Sequence, residues 1–389
     1  MQNFVFHNPT KVIFGKDTVP TVGHETKAVG NTALLVYGVS SLKAGGTFNQ
    51  IYSALQENEV KVVEFGKVAP NPTLSQVREG IALAKKKGID VIVAAGGGSV
   101  IDTAKAIGAG AVVEHDVWKF FIGKKGVKAT LPVVTVLTIP GSGSEMNSGM
   151  VLTHDEKKQK FGFGHRFLHP VTSILDPELT YSLPPEYTAY GAVDALCHIL
   201  EFYLTTADDD ITVQARLMEG LMENIMTACT RCLANPHDYH GRATLMWSAT
   251  LALNGLTAAG LGKVGFPMHL LEHAISGRYN TPHGAGLGAL LAGWLNYYRQ
   301  AAPKRLATLG NRIFAVAPQP SEQEAIDLCI TSIMNWLKQI AVPITPQSLG
   351  VTPEDIPKLA ESTAPLAKIW RLREYPPTLL EQILRYRHC

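Results

Sequence analysis

The chain runs to 389 residues, with 46% hydrophobic and 17% charged side chains and a formal net charge of +2. That length is too great for one ordinary core and predicts two domains, while the near-neutral balance gives no electrostatic reason to bind nucleic acid. Apolar stretches are broken by Gly, Pro or charge before the roughly 18 to 20 residues of a membrane span, and the opening residues 1–7 lack a signal peptide's basic start and long apolar centre, so the expectation is a cytoplasmic protein that binds neither membrane nor nucleic acid.

In chain order, an opening strand is expected over 8–15, and apolar runs at 32–37, 60–65, 90–95, 132–139 and 171–175 follow. Amphipathic stretches such as Leu74–Lys87, whose last three lysines read as a solvated helix end, separate them. This alternation predicts a parallel sheet covered by helices, a Rossmann-like α/β domain over 1–184. Within it, 149–163 reads as a hairpin turning at 154–157. After Leu183-Pro184-Pro185-Glu186 the strand signals vanish, and helical periodicity takes over at 187–204, 213–233, 242–256, 267–276, 322–339, 354–367 and 379–385. An all-α domain over 185–389 is the expectation.

Cys197, Cys229, Cys232, Cys329 and Cys389 are too few, and odd in number, for a disulfide scaffold. Cys229 and Cys232 form a CxxC inside a helical pattern with no second such pair, and are read as incidental. Cys197 points about 100° away from its neighbour His198 on the helix and is read as core.

Three stretches carry chemistry. The strand ending at Ala95 runs into Gly96-Gly97-Gly98-Ser99 and a helix that contains Asp102. Glycines let the backbone approach a ligand, and free amides with the positive helix end favour an anion such as a pyrophosphate; the alternative is a plain strand-to-helix turn with Ser99 as N-cap. A second run of small residues, Thr138-Ile-Pro-Gly-Ser142-Gly-Ser-Glu-Met-Asn147, either lines a ligand or connects sheet to hairpin. The third is a cluster: Asp194 with His198, and His269 with His273, each four apart and so on one helix face, followed by His283 before Gly284. Such N/O donors suit Fe(II), Zn(II), Mn(II) or Co(II), and the absence of thiolate argues against a structural zinc cage; an isolated pair would otherwise be a helix surface or satisfied core.

Taken together, GGGSxxDxxK, TxPGSGSE, Gly191 to Glu201 and HxxxHxxxxxxxxxHG resemble the iron-containing (group III) alcohol dehydrogenases, and within them the bacterial NADPH-dependent aldehyde reductase and butanol dehydrogenase branch. The resemblance extends from Asn8 through His283 and weakens over the last hundred residues. It implies the dehydroquinate synthase-like architecture, an α/β domain followed by an all-α one, and a homodimer. It also implies that Asp194, His198, His269 and His283 hold one divalent metal, Fe(II) or Zn(II), and that His273 and Asp102 act beside the reacting groups, His273 as proton relay or as support for the metal. Gly97, Gly98 and Ser99 would take the pyrophosphate, Thr138, Ser142, Asn147 and Lys160 would lie along the cofactor, and Asn71 in the 70–73 turn would face the adenine. Members that prefer NAD carry an Asp after the first nucleotide-binding strand, against the ribose 2′-hydroxyl. Here that strand ends in Gly38, Val39, Ser40, Ser41, Leu42 and Lys43. With hydroxyls and a lysine in place of the carboxylate, NADP(H) is expected over NAD(H), unless Ser40 and Ser41 merely cap the next helix.

The implied reaction is hydride transfer between nicotinamide and a small aliphatic aldehyde or primary alcohol held at the metal. A non-redox metal-dependent lyase or cyclase of the dehydroquinate synthase type is the alternative.

Overall fold

A computed structural model describes residues 1–38, 41–208, 210–315, 317 and 321–386. Strands β1 (Lys11–Phe14), β2 (Thr32–Gly38), β3 (Lys61–Val68), β4 (Val91–Gly97), β5 (Val133–Ile139) and β8 (Thr172–Leu175) form one sheet in the order β1-β8-β5-β4-β2-β3, every pairing parallel. β4 is buried at every position and β2 from Ala33 to Tyr37, which is why these strands read as unbroken apolar runs rather than alternating ones. The covering helices have ordinary local causes. Helix Leu74–Lys87, for example, is capped by the Thr73 side chain accepting from the Gln76 amide and ends at Gly88 in the left-handed region, φ 63°. β6 (Gly149–His154) and β7 (Gln159–Gly164) make the expected antiparallel hairpin.

The sheet order fixes where a ligand fits. From β2 the chain moves to the neighbouring β3, whereas from β4 it moves the opposite way to β5. The connections therefore diverge beyond the carboxyl ends of β2 and β4, the place where open α/β sheets bind ligands. Gly38 ends β2 and the Gly97–Gly98 junction ends β4, and a Cβ built at Gly38 would lie 4.0 Å from Val100 on the helix after β4.

The chain forms two compact units. One joins His7–Pro184 with Asn235–Thr250, the other Met1–Phe6, Pro185–Ala234 and Leu251–Cys389. Helix Tyr239–Ala252, which the sequence places in the helical domain, thus belongs mostly to the sheet unit. Its own contacts give the reason: the Thr250 hydroxyl donates to the buried Glu145 carboxylate at 2.6 Å, and Trp247 packs edge-on against Phe14 at 5.9 Å. A second departure lies at 354–367, read as one helix but split into Ile356–Ser362 and Ala364–Trp370. Pro365 lacks the amide and crowds the preceding turn, so the first helix stops before it. Among the described residues no helix is long and apolar enough to cross a membrane.

Thr250 is fully buried. Thr250→Val keeps its shape but strips Glu145 of a donor, so the sheet unit is expected to lose about 1–3 kcal/mol in chemical denaturation. An unchanged midpoint would show that the hydroxyl does not hold the helix.

Candidate metal centre and cofactor loops

In the helical unit, helix Pro185–Thr205 carries Asp194 and His198 one turn apart, helix Pro267–Tyr279 carries His269 and His273, and His283 opens helix His283–Ala301. Three imidazoles converge on one oxygen. From Asp194 Oδ1 the distances are 3.4 Å to His269 Nε2, 3.5 Å to His283 Nε2 and 3.6 Å to His198 Nε2. Four donors about 2.0–2.2 Å from a shared centre would stand about 3.3–3.6 Å apart in a tetrahedron. Asp194 Oδ1 and His269 Nε2 are moreover buried without a hydrogen bond. Such atoms are costly unless something else binds them, so the residues present fit a divalent cation.

The imidazoles are aimed by carboxylates. Glu201 Oε2 accepts from His269 Nδ1, while its other oxygen accepts from the Met268 amide at 2.5 Å and the His269 amide at 3.3 Å. Glu272 Oε2 accepts from His283 Nδ1 in the same way. Both glutamates are fully buried. A proton fixed on Nδ1 leaves Nε2 as the free donor, the usual device for orienting a ligating histidine. Neither glutamate was singled out from the sequence, although Glu201 lies one turn past His198, and Glu272 sits inside the His269–His273 motif itself.

Electrostatics point the same way. Burial pushes the Asp194 carboxyl up, but the imidazoles of His198, His283 and His269 outweigh it and hold the group below the usual carboxylate range. Burial dominates at His198, drawing it down to about 3 against the pull of Asp194. At His269 burial is overcome by Glu201 and Asp194, which lift it to about 10. A pocket that holds a proton this tightly is one with a surplus of negative charge. Glycines let the helices close on it: a Cβ at Gly284 would lie 2.1 Å from the Tyr190 carbonyl, and one at Gly286 2.8 Å from Glu272 Cγ. The open side is at His283, whose side chain is 26% exposed against 6% for His198 and His269. Around it stand aromatic rings, Phe266 at 5.3 Å from His269 and Trp370 at 5.4 Å from His273. His273 is buried one turn from His269, its ring 5.8 Å from that of His283.

In the sheet unit, the glycine-rich turn starts helix Gly98–Ala111 with Gly97 as N-cap and no side-chain cap. Ser99 is therefore not the N-cap that one reading of the sequence made it; its hydroxyl donates to the Pro70 carbonyl. Gly98 lies so close to Ser142 that a Cβ there would be 2.3 Å from the serine oxygen. The glycine turn and the small-residue run that begins at half-buried Thr138 near the end of β5 thus share one surface.

Four residues expected at the cofactor or the reaction centre, Asp102, Asn147, Lys160 and Asn71, are engaged by the protein. Asp102 accepts from the Ser144 hydroxyl at 2.6 Å and the Val151 amide at 2.9 Å, tying the loop to the hairpin. Asn147 donates to the Ser142 carbonyl and accepts from the Gly149 amide, and Lys160 donates to Asn71 at 3.1 Å. Lys105, the last residue of the GGGSxxDxxK motif, has no role assigned from sequence: fully buried, it donates to the Asn147 and Gly149 carbonyls at 2.9 and 2.8 Å, and burial draws it down to about 8 against Asp102 and Glu145.

The groups expected to receive a 2′-phosphate are arranged differently from the sequence expectation. Ser40 lies outside the described residues, and Ser41 opens the short helix Ser41–Ala44. Lys43 is bound at 2.9 Å by the Glu64 carboxylate, which also accepts from the Tyr37 hydroxyl. The run 38–43 has no carboxylate of its own, but β3 supplies one.

Residues 9–177 match the model for iron-containing alcohol dehydrogenase and residues 188–385 the model for the C-terminal part of that family. The chain belongs to the iron-containing alcohol dehydrogenase family. It is 38% identical to the probable NADH-dependent butanol dehydrogenase 1 of Bacillus subtilis, over 84% of each chain. It is 32% identical to the NADPH-dependent aldehyde reductase YqhD of Escherichia coli, over 92% of each. The crystal structure of the NADH-dependent butanol dehydrogenase A of Thermotoga maritima superposes with a TM-score of 0.94 at 37% identity, covering 99% of this chain and 98% of that one. The protein is thus an NAD(P)-dependent alcohol dehydrogenase by family, and the lyase alternative is not favoured.

Within this family member, Glu201→Gln and Glu272→Gln are expected to keep the fold but weaken metal affinity about 10- to 100-fold in calorimetric titration. Wild-type affinity in both would deny the glutamates their orienting role. Because Glu201 and Asp194 favour a second proton on the His269 ring, a metal at Nε2 has to compete with it. Affinity should therefore fall about tenfold per pH unit on acidification; a flat profile between about pH 6 and 9 would contradict it.

Proposed function

We propose that the protein interconverts small to medium aliphatic aldehydes and primary alcohols with NADP(H) in preference to NAD(H), using one Fe(II) or Zn(II) held by Asp194, His198, His269 and His283. The cytoplasm and a homodimer are the setting that the composition and the family resemblance favour. The observation that carries the reading is the convergence of three Nε2 atoms on Asp194 Oδ1 in a buried pocket open at His283. When bound, the metal supplies Lewis acidity toward the substrate oxygen and the nicotinamide supplies or accepts hydride.

The protein's own part is placement. Phe266 and Trp370 provide an apolar wall beside the ligands, suited to an alkyl chain and to keeping water from the reacting carbon. Glu201 and Glu272 hold the imidazoles in register. His273, one turn from His269, either exchanges the proton between alcohol oxygen and solvent or supports the ligand shell. For NADP(H) speaks the lack of a carboxylate in 38–43, and the NADPH dependence of YqhD. Against it stand the NADH dependence of the Bacillus relative and the Glu64–Lys43 pair.

The deciding assay is loss of NADPH absorbance on adding butanal to metal-loaded protein; no loss with NADPH or NADH across a series of aliphatic aldehydes would overturn the reading. His273→Gln is expected to preserve metal stoichiometry while lowering turnover and altering its pH dependence. Rescue by added metal, with the wild-type pH profile restored, would assign His273 to support instead. Gly38 has room for a side chain. Gly38→Asp is expected to raise KM for NADPH and improve NADH use, and an unmoved cofactor ratio would place the 2′ position elsewhere.

A further inference from the structure

We propose that Glu64 sets the cofactor discrimination of this protein by competing with a ribose 2′-phosphate for the Lys43 ammonium. The proposal rests on the nucleotide-binding reading of the β2 and β4 strand ends given above. In sheets of this kind the strand beside the phosphate-loop strand ends in the residue that reads the 2′ position. Here the phosphate-loop strand is β4, its neighbour is β2, and Lys43 follows β2 in helix Ser41–Ala44.

Lys43 does not stand ready for an anion. Its Nζ donates to Glu64 Oε2 at 2.9 Å, the Tyr37 hydroxyl donates to the same oxygen at 2.6 Å, and the ammonium lies 4.4 Å over the Phe48 ring and 5.1 Å over that of Tyr37. The arrangement is built in by sequence. A Cβ at Gly66 would fall 2.5 Å from Tyr37 Cζ, so the glycine is what lets the tyrosine lie across β3 and reach Glu64. Glu64 sits on the edge strand β3 opposite Leu35, near enough for both donors at once.

The pair stays accessible. The Lys43 and Glu64 side chains are 51% and 42% exposed, so water and a phosphate can reach them. A 2′-phosphate would have to take Lys43 away from Glu64 or tolerate the carboxylate beside it, while a 2′-hydroxyl meets neither demand. Glu64 therefore subtracts from the advantage that the missing Asp gives NADP(H), and leaves NAD(H) usable. That is a physical route by which one chain can share features with both NADH-dependent and NADPH-dependent relatives.

The test is equilibrium binding, independent of turnover. 2′,5′-ADP and 5′-AMP differ only in the phosphate at issue and are titrated calorimetrically into wild-type protein, Glu64→Gln, Lys43→Gln and the double variant, followed by NADPH and NADH. Glu64→Gln is expected to tighten 2′,5′-ADP and NADPH about two- to fivefold, the scale of an exposed ion pair, with 5′-AMP and NADH unchanged. Lys43→Gln should weaken the phosphorylated ligands alone, and in its background Glu64→Gln should have no effect. Equal shifts for both members of each pair, or no shift, overturn the proposal. Should Glu64→Gln fail to fold, an unchanged ratio in Lys43→Gln overturns it as well. If wild-type protein binds none of the four ligands, the nucleotide-binding reading falls and takes this proposal with it; if it binds them with a ratio blind to residues 43 and 64, only the proposal falls.

Discussion

The helical unit depends on an unbalanced charge. Asp194, Glu201 and Glu272 are buried together among the imidazoles of His198, His269 and His283. Buried carboxylates are costly unless each finds a partner, and breaking such a partnership costs several kcal/mol. Glu201 and Glu272 find theirs in Nδ1 of His269 and His283. Asp194 Oδ1 makes no hydrogen bond, although three imidazole nitrogens face it at 3.4 to 3.6 Å. The most economical resolution is a cation, and the helix-to-helix closeness that Gly284 and Gly286 permit is what brings those donors together.

The same logic applies differently in the sheet unit. There the buried Asp102 and Lys105 are satisfied by the protein, through Ser144, the Val151 amide and the Asn147 and Gly149 carbonyls, and one oxygen of the buried Glu145 accepts from Thr250. They brace the loop after β5 against the hairpin and helix Tyr239–Ala252. That bracing leaves the glycine turn after β4, with its uncapped helix start, as backbone suited to receive an anion. Asp102, expected beside the chemistry, acts here as a brace.

Much of this was legible in the residues. Unbroken apolar runs marked buried parallel strands, and the amphipathic stretch Leu74–Lys87 matched its helix to the residue. The i, i+4 pairs put donors on common faces, and the match of four ordered motifs carried the ligand set further than spacing could. What stayed hidden depends on contacts between segments remote in sequence. Glu64 meets Lys43 only because β3 lies beside β2; Thr250 draws a helix into the sheet unit through a carboxylate over a hundred residues away. Glu201 and Glu272 have no role that local sequence can assign until the imidazoles they aim are known. Local signals, by contrast, could have split 354–367: Pro365 was in view.

The central claim is that one divalent cation sits among Asp194, His198, His269 and His283. Anomalous scattering from crystals grown with Fe(II) or Zn(II) tests it most directly. The account predicts a single strong peak per chain, about 2.0–2.2 Å from Asp194 Oδ1 and from the three Nε2 atoms. A peak elsewhere, or a shell lacking any one of these four donors, would contradict it.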